Sequence, residues 1–406
     1  MTDLNAYRQE LAAELDSILQ FWMTCSPDEA RGGFYGSVNH NNNSNATAAK
    51  GLVLNARILW TFSAAFNFTH EKKYLATAER AFRYLSDYFT DKEYGGMYWS
   101  VEADGYPLDT RKQVYGMAFY LYGLSEYFQA AGDPRLLQEA IQIFRLIEEK
   151  SFDAEQKGYY EAFARDWCHL PDMRLSEKDA NEKKTMNTHL HVIEAYTNLY
   201  RYWPDALLRE RIMQLLEVFE EHMIDRNTGH LLLFFDEEWN LRPDVVSYGH
   251  DIEAAWLLQH CAEIIGHISW QEKMKAHSLR ITDAAIEGLD TDGGLWYEYN
   301  PLSQQLIKEK HWWPQAEAMV GFANAWQISG QEKYLQLSVN SWHFIKKYLR
   351  DNNKGEWVWG VTADYTVMDD KDKAGFWKCP YHNSRACMEM ITRLQRAVSA
   401  KTPPVS

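Results

Sequence analysis

Six short segments of the sequence carry polar or aromatic side chains that could act together on a small molecule. Each segment starts a stretch with helical periodicity and follows a run of aromatic residues. The side chains are Arg57, Tyr115, Asn187 with His191, His250 with Glu253, Trp313 with Glu317, and His382. If these helices begin at the same end of a ring, all six groups point at a common centre. The pattern therefore predicts a site in which histidines serve as acids and bases for a bound substrate.

Helical spacing relates the histidines to their neighbours. Asn187 and His191 are four residues apart and His250 and Glu253 are three apart, so each pair shares a helix face. Glu253 could accept the imidazole N–H of His250 and so fix its tautomer. Helix N-termini also disfavour imidazolium, which keeps these histidines available as bases near neutral pH. His189 faces elsewhere, and we expect a structural role for it.

Two other chemistries use the same residue types. Three converging histidines could bind zinc, but a zinc site usually draws two ligands from one short segment, and these lie 59 and 132 residues apart. A glycosidase would need two carboxylates that flank the scissile bond. Glu253 and Glu317 are the candidates on these helices, and each is better placed as the partner of a neighbouring His or Arg. We therefore expect no metal and no other cofactor.

A six-fold repeat organises these groups along the chain. Each copy has an acidic residue, a polar turn, a glycine and a run of aromatic residues, and the copies begin at Asp28, Asp91, Asp153, Asp225, Asp290 and Asp351. The glycines are Gly33, Gly96, Gly158, Gly229, Gly294 and Gly355, at steps of 63, 62, 71, 65 and 61 residues. Asp, a polar turn and Gly before alternating aromatic residues is typical of a turn that leads into a short strand. Six copies at nearly constant spacing indicate a repeat architecture.

Two helical patterns lie between successive copies of the repeat. The periodicity predicts helices near 4–23, 48–68, 71–90, 112–131, 134–150, 188–203, 205–224, 250–265, 269–288, 312–329, 331–349 and 382–397. Helix 71–90 is apolar on one face, as an outer helix is, whereas helix 48–68 is apolar nearly throughout. Six outer and six inner helices predict an all-α fold, an (α/α)6 barrel with short β-hairpins at one mouth and a single domain over 1–406. The irregular segment 164–187 is expected to border that mouth.

Composition narrows the possible partners. The formal charge is −15 and no basic stretch is clustered, so we expect no nucleic-acid partner. No apolar run reaches 18 residues, so we expect no membrane partner. The five cysteines form no CxxC pair and the N-terminal segment lacks an apolar signal core, which favours the cytoplasm. The aromatic residues, which include 16 Trp and 24 Tyr, exceed what a core needs, and aromatic faces suit the C–H faces of sugars.

At these residues the sequence resembles the N-acylglucosamine 2-epimerase superfamily, and within it the cellobiose 2-epimerases. The matching stretches are KGLVLNARILW around Arg57, KTMNTHLHVIEAYTNLY around His191, SYGHDIEAAWLL around His250, HWWPQAEAMVGF around Trp313 and FWKCPYHNSRACMEM around His382. The resemblance covers essentially the whole chain. It implies an (α/α)6 barrel and a sugar 2-epimerase that needs neither a metal nor a redox cofactor.

The resemblance also implies a role for each residue of the site. It places His250 and His382 on opposite sides of substrate C2 as general acid and base, and His191 where it assists ring opening or holds the C1 oxygen. Arg57 would lie over the oxygens that collect negative charge, and Glu253 would orient His250. Trp313 and Trp377 would stack on sugar rings. The residues implied to contact sugar hydroxyls are Tyr115, Asn187 and Glu317.

The implied reaction inverts C2 of the reducing-end glucose or mannose unit of a β-1,4 disaccharide, such as cellobiose or a lactose-type sugar. In the open-chain sugar, C2–H lies α to the C1 aldehyde, and a base of near-neutral pKa can remove it. Within the same superfamily the alternatives are a D-mannose 2-epimerase and an aldose–ketose isomerase. An (α/α)6 glycoside hydrolase is the alternative from a different class. We expect a monomer or a weak homodimer whose partner is a small sugar.

Overall fold

The computed structural model describes residues 3–242 and 245–401, and these residues contain twelve α-helices. The helices are α1 (Leu4–Cys25), α2 (Leu52–Thr69), α3 (Lys72–Tyr84), α4 (Val114–Ala131), α5 (Pro134–Lys150), α6 (Met186–Tyr200), α7 (Ala206–Val218), α8 (Tyr248–Ile264), α9 (Ile268–Ala285), α10 (Trp312–Ser329), α11 (Glu332–Phe344) and α12 (Tyr381–Lys401). Five-residue π-helical turns extend α3, α7 and α11, over Leu85–Phe89, Phe219–Met223 and Ile345–Leu349. Each of the twelve predicted helices is confirmed.

The even-numbered helices form a closed inner ring. Each contacts the next in the order α2, α4, α6, α8, α10, α12, and α12 returns to contact α2. The odd-numbered helices form an outer layer, with α1 against α12 and α3, α5, α7, α9 and α11 against the inner helix that precedes each in sequence. This arrangement is the (α/α)6 barrel that the sequence predicted.

Burial along the helices explains the two layers. In α2 every residue from Leu52 to Ala65 is buried, because this helix is enclosed by neighbours on all sides. In α3 only Tyr74, Ala78, Ala81 and Tyr84 are buried, at helical spacing on one face. The apolar helix α2 therefore lies in the inner layer and the amphipathic helix α3 in the outer layer, as their periodicity indicates.

Short antiparallel strands join neighbouring repeats at the end where the inner helices begin. The strands are β1 (Lys50–Gly51), β2 (Ser100–Val101), β3 (Pro107–Asp109), β4 (Lys112–Gln113), β5 (Ala162–Phe163), β6 (Lys184–Thr185), β7 (Phe234–Phe235), β8 (Val246–Ser247), β9 (Glu298–Asn300), β10 (Gln305–Ile307), β11 (Lys310–His311) and β12 (Gly360–Val361). The strand before each of α2, α4, α6, α8 and α10 pairs with a strand of the following repeat, as β1 does with β2. A bridge between Val38 and Ala374 links the first repeat to the last. These paired strands thus fix where α2, α4, α6, α8 and α10 start.

A buried lysine pairs with the aspartate of the turn in five of the six repeats. Lys50, directly before α2, places its ammonium 3.0 Å from Asp28 Oδ2. The equivalent pairs are Lys112–Asp91, Lys184–Asp153 and Lys310–Asp290, each at 2.8 Å. In the sixth repeat Lys373, farther from its helix, binds Asp351 at 2.8 Å, whereas Lys378, at the sequence position of Lys50, binds Glu356. In the fourth repeat Val246 occupies the position of the lysine, and the Oδ2 of Asp225 accepts from Thr228.

Glycine is required at the turn by space as well as by conformation. Gly33 has φ 61°, and a Cβ there would lie 2.5 Å from the ring of Tyr84. The irregular segment is shorter than predicted: it ends at residue 183, because 184–185 form β6 and α6 begins at Met186. Among the described helices none is long and apolar enough to span a membrane.

Candidate active site

The predicted site residues lie in the first two turns of the inner helices. His250 is the third residue of α8, whereas Tyr115, Asn187, Trp313 and His382 are each the second residue of their helix. Arg57, His191, Glu253 and Glu317 are each the sixth residue of α2, α6, α8 and α10. The inner helices start at one end of the barrel, and contacts between helices bring several of these groups together, as between Arg57 and Tyr115 and between Trp313 and His382. Trp377 lies outside the helices, four residues before α12.

Each of the three histidines is held through Nδ1. Among the described contacts, no hydrogen bond involves the Nε2 of any of them. An ionised carboxylate only accepts hydrogen bonds, so His191 and His382 carry their proton on Nδ1 and present the lone pair of Nε2. The Nδ1 contacts are His191 to Glu194 at 2.9 Å, His250 to the Ser247 hydroxyl at 2.8 Å, and His382 to Glu317 at 2.7 Å.

The predicted pairing of Glu253 with His250 is wrong. Glu253 Oε1 instead accepts a hydrogen bond from Arg385 at 2.9 Å and lies 3.8 Å from Nδ1 of His382. The spacing of three residues does place both side chains on one helix face, but Glu253 lies one turn deeper, where it meets a guanidinium. The hydroxyl of Ser247, the residue before α8, contacts Nδ1 of His250 in place of Glu253.

Glu317 also differs from its predicted role as a contact to sugar hydroxyls. Its Oε1 accepts from Nδ1 of His382 at 2.7 Å and from Arg385 at 2.6 Å, and its Oε2 accepts from Trp256 Nε1 at 2.9 Å. Both oxygens therefore serve protein donors, and the side chain is only 1% exposed. As the sequence indicated, this carboxylate is the partner of a neighbouring His and Arg.

Arg385 is the principal residue that the sequence analysis missed. It is buried, and its guanidinium donates to the carboxylates of Glu194, Glu253 and Glu317. A signal for it was present in the repeat. Arg385 follows Lys378 by seven residues, as Arg57 follows Lys50. The same interval separates Lys184 from His191 and Lys310 from Glu317.

The guanidinium of Arg57 is clamped by aromatic side chains. It donates to the Tyr115 hydroxyl at 2.8 Å, and its carbon lies 4.1 Å from the ring centre of Phe119 and 4.9 Å from that of Tyr381. Its Nε is buried and has no partner among the described residues. Arg57 is therefore a fixed cation whose Nε–H remains free to donate a hydrogen bond.

Aromatic rings connect the three histidines to the open side of the site. Trp313 lies between two of them, with ring centres 4.8 Å from His250 and 5.7 Å from His382. Tyr115 likewise contacts His191 at 5.1 Å and Trp377 at 6.1 Å. The members of this set that remain partly exposed are Trp313, Trp377, His250 and Asn187. A small molecule entering at this end would meet rings and imidazole nitrogens first.

Burial governs the protonation of the site. It lowers the pKa of His250 to about 3 and also lowers the pKa values of His191 and His382, so all three are neutral near pH 7. Burial would raise the pKa of Glu194, but Arg385 and His191 bring it down to about 2. The histidines can therefore act as bases through Nε2.

Glu253 and Glu317 hold less negative charge than two free carboxylates would. Burial and the neighbouring Glu317 raise the pKa of Glu253 to about 8, and burial also raises that of Glu317. Arg385 opposes both shifts. The pair therefore favours retaining a proton near neutral pH, and the proton belongs on Glu253, because both oxygens of Glu317 already accept from protein donors.

Glu253, Glu317 and His382 bring together donor atoms of the kinds that bind metal ions. One ligand atom from each lies within 4.8 Å of the other two. However, the Nη2 of Arg385 already lies 2.9 Å and 2.6 Å from the two carboxylates. Among the described residues this cluster therefore fits a resident guanidinium better than a metal ion.

A cavity of about 290 Å³ lies at the opposite end of the barrel. Its walls come from the later turns of the inner helices and include Trp60, Tyr122, Glu126 and His260. Arg385 also borders this cavity, so it separates the cavity from the histidine site. The cavity is thus distinct from the converging Nε2 atoms.

Comparison with known proteins places the chain among sugar epimerases. The N-acylglucosamine 2-epimerase (GlcNAc 2-epimerase) family matches residues 33–386. A cellobiose 2-epimerase of Bacteroides fragilis is 48% identical over 385 residues, which cover 95% of this chain and 98% of that protein. One of Ruminococcus albus is 40% identical over 395 residues, or 96% of this chain and 98% of that protein. The solved structure of cellobiose 2-epimerase from Bacillus thermoamylovorans B4167 has a TM-score of 0.92 and 39% identity, and the match covers 96% of this chain and 100% of that one.

Proposed function

The chain belongs to the N-acylglucosamine 2-epimerase family and is a carbohydrate epimerase, and we propose that it inverts C2 of the reducing-end glucose or mannose unit of a β-1,4-linked disaccharide. Cellobiose is the proposed substrate, and lactose-type sugars are expected to react as well. The similarity to the cellobiose 2-epimerase of Bacteroides fragilis, 48% identity over nearly the whole of both chains, carries this choice of substrate.

The proposed reaction begins once the pyranose ring has opened. Nε2 of one histidine, His250 or His382, removes the proton from C2. The electron pair of the C2–H bond moves into the C1–C2 bond, and the C1 oxygen gains negative charge as an enediolate forms. The other histidine, which has taken up a proton from solvent at Nε2, delivers it to the opposite face of C2 and becomes neutral again. The C1 carbonyl is restored and the configuration is inverted. Solvent exchange returns both imidazoles to their starting state.

Two features of the site support a base on each side of C2. His250 and His382 stand on different helices, α8 and α12, and both contact the ring of Trp313. A sugar resting on Trp313 would thus lie beside both imidazoles. Their Nδ1 atoms are occupied by protein groups, which leaves Nε2 for the substrate.

Arg57 and His191 are proposed to stabilise the enediolate. The Arg57 guanidinium is fixed by Tyr115 and by the rings around it, so it needs little reorganisation when charge develops on O1. His191 is held through Glu194, and in our proposal its Nε2 assists ring opening or contacts the C1 oxygen. Trp377, Tyr115 and Asn187 are proposed to bind the sugar. Glu253 and Glu317 are proposed to act through Arg385 and His382.

The carboxylates do not suit glycoside hydrolysis. A glycosidase needs its two carboxyl groups on either side of the scissile bond, in a cleft open to substrate. Glu253 and Glu317 instead accept hydrogen bonds from the same nitrogen of Arg385, and each is only 1% exposed. The hydrolase alternative therefore receives no support from this site.

The substrate is tested by incubating the purified protein separately with cellobiose, lactose, glucose, mannose and N-acetylglucosamine and separating the products by chromatography. The proposal predicts 4-O-glucosyl-mannose from cellobiose. A preference for free mannose, or accumulation of a ketose, would indicate the D-mannose 2-epimerase or the aldose–ketose isomerase instead. We further propose that residues 1–406 form one catalytic domain, which acts in the cytoplasm as a monomer or weak homodimer without a metal.

A further inference from the structure

We propose that Arg385 is a positioning residue, the fixed cation that aligns His191 and His382 through the carboxylates between them. This inference rests on the proposed function, because it assigns these histidines a part in the reaction. Arg385 itself is buried and is not proposed to touch the sugar.

A continuous chain of hydrogen bonds joins the two imidazoles through Arg385. Nδ1 of His191 binds Glu194, and Oε1 of the same carboxylate accepts from Nη1 of Arg385. On the other side, Nη2 of Arg385 donates to Oε1 of Glu317 at 2.6 Å, and that oxygen also accepts from Nδ1 of His382. One planar group thus sets the orientation of two carboxylates, and each carboxylate sets the tautomer of one histidine.

Charge balance supports the same role. Glu194, Glu253 and Glu317 are all buried, and Arg385 contacts all three. The hydroxyl of Tyr381 also donates to Glu194, at 2.6 Å and 2.7 Å from its two oxygens. Without the guanidinium, the carboxylates would repel one another and would gain protons. A protonated Glu317 could no longer hold His382 with its proton on Nδ1.

The guanidinium shape matters beyond its charge. Arg385 uses two terminal nitrogens in one plane to reach carboxylates on three helices, α6, α8 and α10. A lysine ammonium is a single point donor and cannot span these three positions. The conservative change Arg385→Lys therefore keeps the charge but loses the alignment.

The network is asymmetric with respect to the two proposed bases. Arg385 reaches His382 through Glu317, whereas Nδ1 of His250 binds the hydroxyl of Ser247. Disturbing Arg385 should thus impair proton transfer at the His382 face of C2 more than at the His250 face. A residue with a purely structural role would not distinguish the two faces.

The test compares Arg385→Lys with the wild type and with Arg211→Lys. The control alters another Arg–Glu–Tyr cluster, in which Arg211 and the hydroxyls of Tyr159 and Tyr196 all donate to Glu148, away from the site. The readouts are kcat and KM for cellobiose, deuterium uptake from D2O at C2 of each epimer, and the imidazole ¹⁵N shifts that report tautomers.

For Arg385→Lys we expect kcat to fall about 10- to 100-fold with KM changed less than about threefold. Deuterium uptake should slow mainly in one epimer, and His191 and His382 should lose their pure Nδ1–H tautomers. Arg211→Lys should leave all three readouts at wild-type values. A folded Arg385→Lys protein with wild-type kcat, or with both faces of C2 slowed equally, would overturn the proposal.

The wild-type ¹⁵N spectrum provides a second test that holds even if the variant fails to fold. The proposal requires Nδ1–H tautomers at His191 and His382, and an Nε2–H tautomer at His382 would refute it. This measurement also separates the two proposals. If the protein converts none of the five sugars but its histidines have the expected tautomers, only the proposed function is contradicted.

Discussion

The Nδ1 atom of His382 lies 2.7 Å from Oε1 of Glu317, a carboxylate with both oxygens bound by protein donors. The equivalent partner of His250 is an uncharged hydroxyl, that of Ser247. The two proposed acid/base groups are therefore supported differently. An ionised partner increases the basicity of an imidazole, whereas a hydroxyl mainly orients it.

Replacing each of these partners tests that difference. Glu317→Gln keeps the shape of the side chain but removes its charge, so we expect kcat for cellobiose to fall about 10- to 100-fold at nearly constant KM. Ser247→Ala, the matched change beside His250, should have a smaller effect. Steady-state kinetics on both variants, with circular dichroism to confirm folding, makes the comparison. If Ser247→Ala lowered kcat as much as Glu317→Gln or more, the stronger role assigned to Glu317 would be contradicted.

Arg57 should matter for turnover more than for binding. The charge that it meets develops only in the enediolate, so Arg57→Ala should lower kcat about 10²- to 10³-fold while KM changes little. Tyr115→Phe removes the hydroxyl to which Arg57 donates but leaves the guanidinium, and it should be milder. Kinetics with cellobiose check both variants. A change of KM alone in Arg57→Ala would mean that this residue serves ground-state binding.

The lysine–aspartate pairs of the repeat predict a contrast in stability. In Asp28→Asn the buried ammonium of Lys50 loses its counter-charge, which should lower the free energy of unfolding by about 3–5 kcal/mol. Asp225→Asn is the matched control, because the fourth repeat has Val246 in place of the lysine. Urea unfolding measures both. Similar losses in the two variants would show that the turn, and not the ion pair, supplies the stability.

We expect His189 to contribute to the loss of folding stability at acidic pH. Its Nδ1 lies 2.7 Å from the carbonyl of Thr185, its Nε2 accepts from the amide of Tyr159, and burial lowers its pKa to about 3. The unfolded chain takes up a proton near pH 6.5 and the native state does not. Stability from this group is therefore complete above pH 6.5 and is lost as the pH falls from 6.5 towards 3, by about 1.4 kcal/mol per pH unit.

The variant His189→Gln lacks this titration. Its deficit in unfolding free energy relative to the wild type should shrink by about 2 kcal/mol between pH 7.5 and pH 5. Urea unfolding at the two pH values gives the difference, and epimerase activity near neutral pH should persist. A deficit that stays constant over this range would show that His189 takes up its proton equally in both states.

Much of the fold could be predicted because the same turn, strand and helix patterns occur six times in the sequence. Gly33 and its five equivalents mark the turns. The apolar stretch of α2 identifies it as an inner helix, whereas the one-sided apolar face of α3 identifies it as an outer helix. The end of the irregular segment was misplaced, since β6 is only two residues long and leaves no periodicity to detect. Local patterns thus sufficed for architecture.

The partners within the site were harder to predict, because they are set by contacts between helices. Spacing along α8 suggested Glu253 as the partner of His250, but the choice depends on Arg385, which is 132 residues away. The hydroxyl of Ser247 was available at the start of the same helix. Residues that converge from α6, α8, α10 and α12 compete for the same donors, and this competition is not visible in any single segment.

The proposed reaction needs two opposed bases at C2, and the deuterium content of C2 after reaction in D2O tests this directly. With wild-type protein, newly formed glucosyl-mannose should carry deuterium at C2 of its reducing unit, and no monosaccharide should be released. His250→Asn and His382→Asn should fold but should not epimerise, and each should exchange C2–H only in the epimer that its remaining base can reach. Near-normal epimerisation by folded His382→Asn, or a wild-type product that retains protium at C2, would contradict the two-base account.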